Sequence, residues 1–222
     1  MASLQPPFVS SRRLIAAVVL ALVGLVVGAA LYLNPLSRTA DAAGVRAAAG
    51  KSSGPMLLVA SAELEDPIYG GAVIVATPLE GDRYAGFIIN WPTDIGLADA
   101  YPGPRPVQEL RSRLYVGGPY LGQSIFALVR RPTRPAGKWL ELAPGLYAAI
   151  DRTAVEEVIR VNGEDARYVV GLIIWPPHEL EREVEAGSWT VVRPASRSAL
   201  QPADASEWDE FVRRAQEAAR SH

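Results

Sequence analysis

The hydrophobic positions of this chain fall into two regimes that call for different structures. Residues 14–33 form an unbroken run of twenty without a charge, twelve of them Leu, Ile or Val. A helix rises about 1.5 Å per residue, so the run would cover about 30 Å, the thickness of a bilayer's hydrocarbon core. From Met56 onward the apolar runs are short and bounded by turn residues. Residues 56–60, 72–76 and 86–89 are nearly continuous in apolar character, as expected of strands buried on both faces. Residues 114–116, 124–129, 146–150, 168–175 and 189–192 read as further strands.

Helical periodicity is scarcer. Thr153 with Glu156 three positions on is a capping-box pattern, followed by Val155, Val158 and Ile159 and stopped by Gly163. Residues 179–186 predict a short charged helix ended by Gly187. Ser206 with Asp209 opens a last helix whose Trp208, Phe211, Val212, Ala215 and Ala219 share one face. Strands outnumber helices and do not alternate with them, so the expected class is a mixed α+β sheet. Residues 102–106 and 132–135 are proline-punctuated loops. The organisation expected is an N-terminal segment at 1–13, a transmembrane helix at 14–33, a tether at 34–54 and one α+β domain at 55–222.

Flanking charge sets the expected orientation. Arg12 and Arg13 abut the apolar run, whereas Arg38, Arg46 and Lys51 are spread beyond its far end. The positive-inside rule then puts the N-terminus in the cytoplasm and the domain on the extracytoplasmic side, with a cytoplasmic domain as the alternative. A cleaved signal peptide competes, since Ala40-Asp41-Ala42 offers small residues for cleavage. The apolar run exceeds the usual signal-peptide core of roughly 7 to 15 residues, which favours a retained anchor. Membrane lipid around residues 14–33 is therefore the first expected partner. Gly24 and Gly28 are spaced so that two such helices could pack closely as a homo-oligomer.

Composition excludes more than it suggests. In 222 residues, 22 Lys+Arg stand against 24 Asp+Glu, and cysteine is absent. There is no basic footprint for nucleic acid, no thiolate metal site and no cysteine nucleophile. The two histidines, His178 and His222, leave little material for imidazole chemistry or a multi-histidine metal centre. Neither a cofactor nor a metal is expected.

Four clusters carry the candidate chemistry for a protein or small-ligand partner. Asp66-Pro67 suits a cap followed by a first-turn proline. Gly117-Gly118-Pro119 follows a strand, and its turn amides either cradle an anion or simply reverse the chain. Asn90, before Trp91-Pro92, either presents an amide at a cleft or ends its strand. The densest polar stretch runs from Trp175 through His178, Glu179, Glu181 and Glu183. It reads either as a solvated helix face or as a site for weak divalent-ion binding or proton transfer. No Gly-x-Ser-x-Gly elbow and no His-Glu-x-x-His pair occurs.

Taken in order, these segments resemble the YqgE/AlgH family. The resemblance rests on Leu64-Glu65-Asp66-Pro67-Ile68-Tyr69, on residues 85–92 ending in Asn90-Trp91-Pro92, and on Val116-Gly117-Gly118-Pro119. It continues through Gly171 to Trp175, Glu179-Leu180-Glu181-Arg182-Glu183 and Gly187-Ser188-Trp189, covering roughly residues 55 to 200. Ala76-Thr77-Pro78 stands where that family usually carries a His, and Pro176-Pro177-His178-Glu179 replaces its Gly-x-Gly-Gln. The apolar N-terminal run is a further departure. The resemblance implies a mixed α+β sheet partly curled into a half-barrel. For function it implies a link to regulation of exopolysaccharide production and no established activity. The reading that follows is a membrane-tethered binding or regulatory module. The alternatives are a hydrolase using Asp66, His178 and the glutamates near it, and a transcription-related regulator.

Overall fold

The computed structural model describes residues 54–101, 105–192 and 205–220. The transmembrane helix expected at 14–33 and most of the tether lie outside them. No helix among the described residues is long and apolar enough to cross a membrane.

The described strands are β1 (Met56–Ala60), β2 (Val73–Leu79), β3 (Arg83–Ile88), β4 (Pro92–Gly96), β5 (Arg113–Val116), β6 (Tyr120–Arg130), β7 (Trp139–Ala143), β8 (Leu146–Ala149), β9 (Arg167–Trp175) and β10 (Trp189–Val192). Five helices accompany them among the described residues: α1 (Leu97–Ala100), α2 (Arg105–Glu109), α3 (Arg152–Asn162), α4 (Glu179–Glu185) and α5 (Ala205–Arg220). The strands join in one sheet in the order β10-β1-β2-β3-β9-β6-β8-β7, with β5 added to β9 and β4 to β5. The class is the expected sheet-dominated α+β fold.

β9 organises the sheet because its two halves serve different neighbours. Tyr168, Val169 and Val170 run parallel to β5 and antiparallel to β6, whereas Ile173, Ile174 and Trp175 pair with β3. Gly171 separates the halves with a φ of 76°. The sheet curls until its distant strands meet, and the Thr77 hydroxyl on β2 donates to the Glu141 carbonyl on β7 at 3.0 Å. This is the curled half-barrel that the resemblance implied.

Curling explains why β1, β2 and β3 are apolar on both faces. Leu57, Val59, Val73, Val75 and Phe87 point into the curl, where they meet Phe126, Leu128, Leu140 and Leu142 from the other side. Phe87 and Phe126 pack edge to face at 5.4 Å. Helix α5 closes this interior with Phe211 and Ala215. On the outer face, Leu58, Ile74 and Ile88 form a second layer with Trp175, Trp189 and Leu180 of α4. Val155, Val158 and Ile159 of α3 cover Ala127, Tyr147 and Tyr168 in a third. Each fully buried aliphatic or aromatic side chain contributes roughly 1.5 to 3 kcal/mol, so these layers dominate stability.

Several expectations shift. Helix α3 starts earlier than its capping-box pattern implied, because Asp151 is the N-cap and its Oδ1 accepts from the Ala154 amide at 2.8 Å. Thr153 lies inside the helix. Strands β4 and β7 were not foreseen. The first carries Thr93 and Asp94 at a partly exposed margin, and the second sets Glu141 among its apolar residues. The proline-rich loop expected over residues 102–106 gives way at Arg105 to the short helix α2.

Candidate functional site: an arginine-floored cleft

A cation opens β9, an otherwise apolar strand. The side chain of Arg167 is only 3 % exposed, and a buried charge is costly unless its hydrogen bonds and a counter-charge are supplied. Its guanidinium donates to the Ile89 carbonyl at the end of β3 and to Asp209 Oδ1 on α5, the latter at 2.7 Å. It also lies 4.1 Å from the centre of the Tyr115 ring on β5. A planar, delocalised cation suits this combination of stacking and directed donation, which lysine would not reproduce.

Above Arg167 lies a cleft of about 650 Å³ whose walls come from β4, β5, the start of β9 and α5. Arg111 and Arg113 are exposed at its rim. Glu164 lies beside them, its Oε1 accepting from the Arg111 amide at 3.3 Å. Three arginines therefore face two carboxylates, those of Glu164 and Asp209. Tyr115, Ser112 and Asn90 complete the polar lining, and Val212 adds an apolar edge. Such a site can hold a small ligand with hydrogen-bond acceptors against fixed donors.

Of the residues singled out in the sequence, Asn90 lines this cleft. Its side chain also has a structural task at the start of β2: Oδ1 accepts from the Val73 amide and Nδ2 donates to the Gly71 carbonyl, both at 2.8 Å. Gly117 and Gly118 lie where β5 passes into β6 across β9. The Gly117 amide donates to the Val170 carbonyl and its carbonyl accepts from the Ile88 amide. A Cβ on Gly117 would lie 2.3 Å from the Gly171 carbonyl oxygen, so backbone packing requires glycine there. Pro119 is half-buried beside them.

The remaining candidates gather at the other end of β9, roughly 25 Å along the strand from Arg167. One carboxylate oxygen, Glu183 Oε2, accepts from the indole nitrogens of Trp175 at 2.9 Å and Trp189 at 2.7 Å. Tyr69 packs edge-on against Trp189. Burial, with Glu183, Tyr120, Asp66 and Glu179 nearby, pushes its hydroxyl up to about 12. Asp66 Oδ1 accepts from the amides of Ile68 and Tyr69, capping the turn that Pro67 begins. His178 is exposed and left-handed at φ 64°, and its carbonyl accepts from Arg182 Nε. Glu179 is half-buried and Glu181 exposed. Among the described residues no group of three or more His, Asp or Glu is placed to hold a metal ion.

Sequence reasoning missed Arg167, Tyr115 and Asp209. The usable signal was an arginine immediately before a doubly buried apolar strand, where a charge needs specific partners.

Comparison with known proteins agrees with this architecture. Residues 57–220 match the family model described as AlgH-like. A UPF0301 protein of Chlorobaculum tepidum is 28% identical over 160 residues, spanning 71% of this chain and 83% of that protein. A UPF0301 protein of Rhodococcus opacus is 27% identical over 161 residues, spanning 71% and 80%. The fold is similar to the solution structure of the AlgH protein from Pseudomonas aeruginosa, with a TM-score of 0.57 and 23% identity over 78% of this chain and 93% of that one. A crystal structure of a Corynebacterium diphtheriae protein matches with a TM-score of 0.54 and 25% identity, over 74% and 88%.

Proposed function

The chain belongs to the AlgH-like family, and on that footing we propose that it is a membrane-tethered binding module whose ligand enters the cleft above Arg167. The observation that carries this reading is a guanidinium buried to 3 % exposure yet lining a cleft of about 650 Å³. That size falls in the range of small-molecule sites, roughly 300 to 1,000 Å³. Tyr115 and the Ile89 carbonyl hold the cation in one orientation, so a ligand meets donors already positioned, which lowers the entropic cost of binding.

The tether rests on residues 14–33. Twelve Leu, Ile or Val residues at roughly 0.3 to 0.6 kcal/mol each favour insertion, and no charge in the run opposes them. A cytoplasmic N-terminus then places the cleft on the extracytoplasmic side of the membrane.

The test is a thermal-shift screen of the full chain in mild detergent against a panel of small metabolites. A ligand that binds the native state alone raises Tm in proportion to the logarithm of its concentration. At least one compound should stabilise the wild type and lose its effect on Tyr115→Ala. A panel that leaves the wild-type Tm unmoved would overturn the cleft. Reporter fusions at the C-terminus test the orientation, and activity of a cytoplasm-only reporter would reverse it.

A further inference from the structure

We propose that the ligand of this cleft is a small anion, a carboxylate or a phosphate, and that Asp209 on α5 is its built-in competitor, which the anion displaces from Arg167. The inference rests on the cleft being the binding site and adds the ligand's charge and the side chain it replaces.

The ion pair at the cleft floor is lopsided. Arg167 is 3 % exposed, whereas the Asp209 side chain is 77 % exposed. The sheet contributes the Tyr115 ring and the Ile89 carbonyl to the cation's setting. The anion is supplied from solvent's side by a separate element. An exposed carboxylate is well hydrated when it leaves, so exchanging it for another anion costs little desolvation. An incoming carboxylate or phosphate reproduces the acceptor geometry that Asp209 Oδ1 presents at 2.7 Å.

The surroundings favour the exchange. Among the described residues that line the cleft, Arg111 and Arg113 join Arg167, with Glu164 beside them. Two of those arginines are exposed at the rim, where they attract an anion toward the floor.

Helix α5 itself stays in place, because Phe211 and Ala215 are buried in the interior of the curl and Val212 walls the cleft one turn after Asp209. The exposed Asp209 side chain turns to solvent without moving the helix.

The experiment uses the full chain in mild detergent, with inorganic phosphate and succinate as separate probes. It reads affinity by calorimetry. Asp209→Asn removes the competitor's charge, so the apparent Kd for the effective anion should fall roughly fivefold or more, as when a binding-competent state becomes fully populated. Arg111→Gln with Arg113→Gln, both exposed and tolerant of change, should weaken binding about tenfold. Response to phosphate alone or succinate alone names the anion. Anion binding with an unchanged Kd in Asp209→Asn overturns the competitor while the cleft stands. Binding of neutral compounds only overturns the anion. Absence of any ligand, charged or neutral, sinks the cleft reading beneath both.

Discussion

Gly118 and Gly171 meet backbone to backbone at the centre of the sheet: a Cβ on Gly171 would stand 2.1 Å from the Gly118 carbonyl oxygen, and one on Gly118 would stand 2.3 Å from the carbonyl carbon of Leu172. This close approach lets β9 pass from one set of neighbours to the other. The opposing atoms are backbone, so they cannot swing aside as a flexible side chain would. Gly171→Ala should therefore cost roughly 3 kcal/mol or more, combining left-handed strain with a steric clash. Gly187 has nearly the same φ, 78° against 76°, but nothing within 4 Å of its added Cβ. Gly187→Ala isolates the conformational part and should cost about 1 to 2 kcal/mol. Urea denaturation of the two variants compares them. Equal losses would mean that the close approach carries no energy.

Glu183 joins two indoles, from Trp175 on β9 and Trp189 on β10, through one oxygen. Removing it strands two partly buried N–H donors at once. Glu183→Ala should cost about 2 to 4 kcal/mol, near 1 to 2 for each donor left unmade. Glu183→Gln keeps an acceptor oxygen and should recover at least half of that. Tryptophan emission should shift in the Ala variant, because both indole nitrogens become available to water. An Ala variant as stable as the wild type would mean the bonds are replaced by solvent at no cost.

Strands were legible in the sequence where apolar residues run together between turn residues, as in β1, β2 and β9. Residues 56–60 were expected and form β1 with the same ends, since every position faces a core layer. Strand β6 was foreseen only from residue 124, although it begins at Tyr120, because its first four residues are exposed or half-buried and lack a core signature. Strand β7 was hidden by Glu141 and Ala143, residues that also suit helices. The cleft was nearly invisible. Arg167 meets Ile89 across 78 positions and Asp209 across 42, and no local pattern encodes such a convergence. Asn90 was noticed through its turn, and its two side-chain bonds to Gly71 and Val73 needed the third dimension.

Those two bonds make a sharp test at Asn90. Its amide uses both ends, accepting from Val73 and donating to Gly71 at 2.8 Å each. Asn90→Asp keeps the shape and the acceptor but replaces the donor with a second acceptor facing the Gly71 carbonyl. It should lower stability by roughly 1 to 3 kcal/mol at neutral pH. Acidification below the carboxyl's titration should restore part of the loss, because a protonated carboxyl can donate again. Loss of stability that is the same at pH 7 and pH 4, each variant compared with wild type, would show that the Gly71 bond does not matter.

Alkaline stability should report on Tyr69. Burial first, and Glu183 second, raise its hydroxyl from 10.0 to about 12 in the folded chain. In the unfolded chain the same group ionises near its ordinary value, so the folded state binds the proton more tightly. Its contribution is present in full below about pH 10, because both states are then protonated. It is lost as pH rises from about 10 toward 12, where only the unfolded state has released the proton. Tyr168 acts in the same direction, since burial raises it too and its hydroxyl donates to the Gly163 carbonyl at 3.0 Å. Wild-type stability should therefore hold steady to about pH 10 and then decline. Tyr69→Phe cannot ionise and should decline less steeply between pH 10 and 12, with Tyr168 still supplying part of the slope. Urea midpoints measured across that window decide the matter, and parallel curves for the two proteins would show that Tyr69 titrates alike in both states.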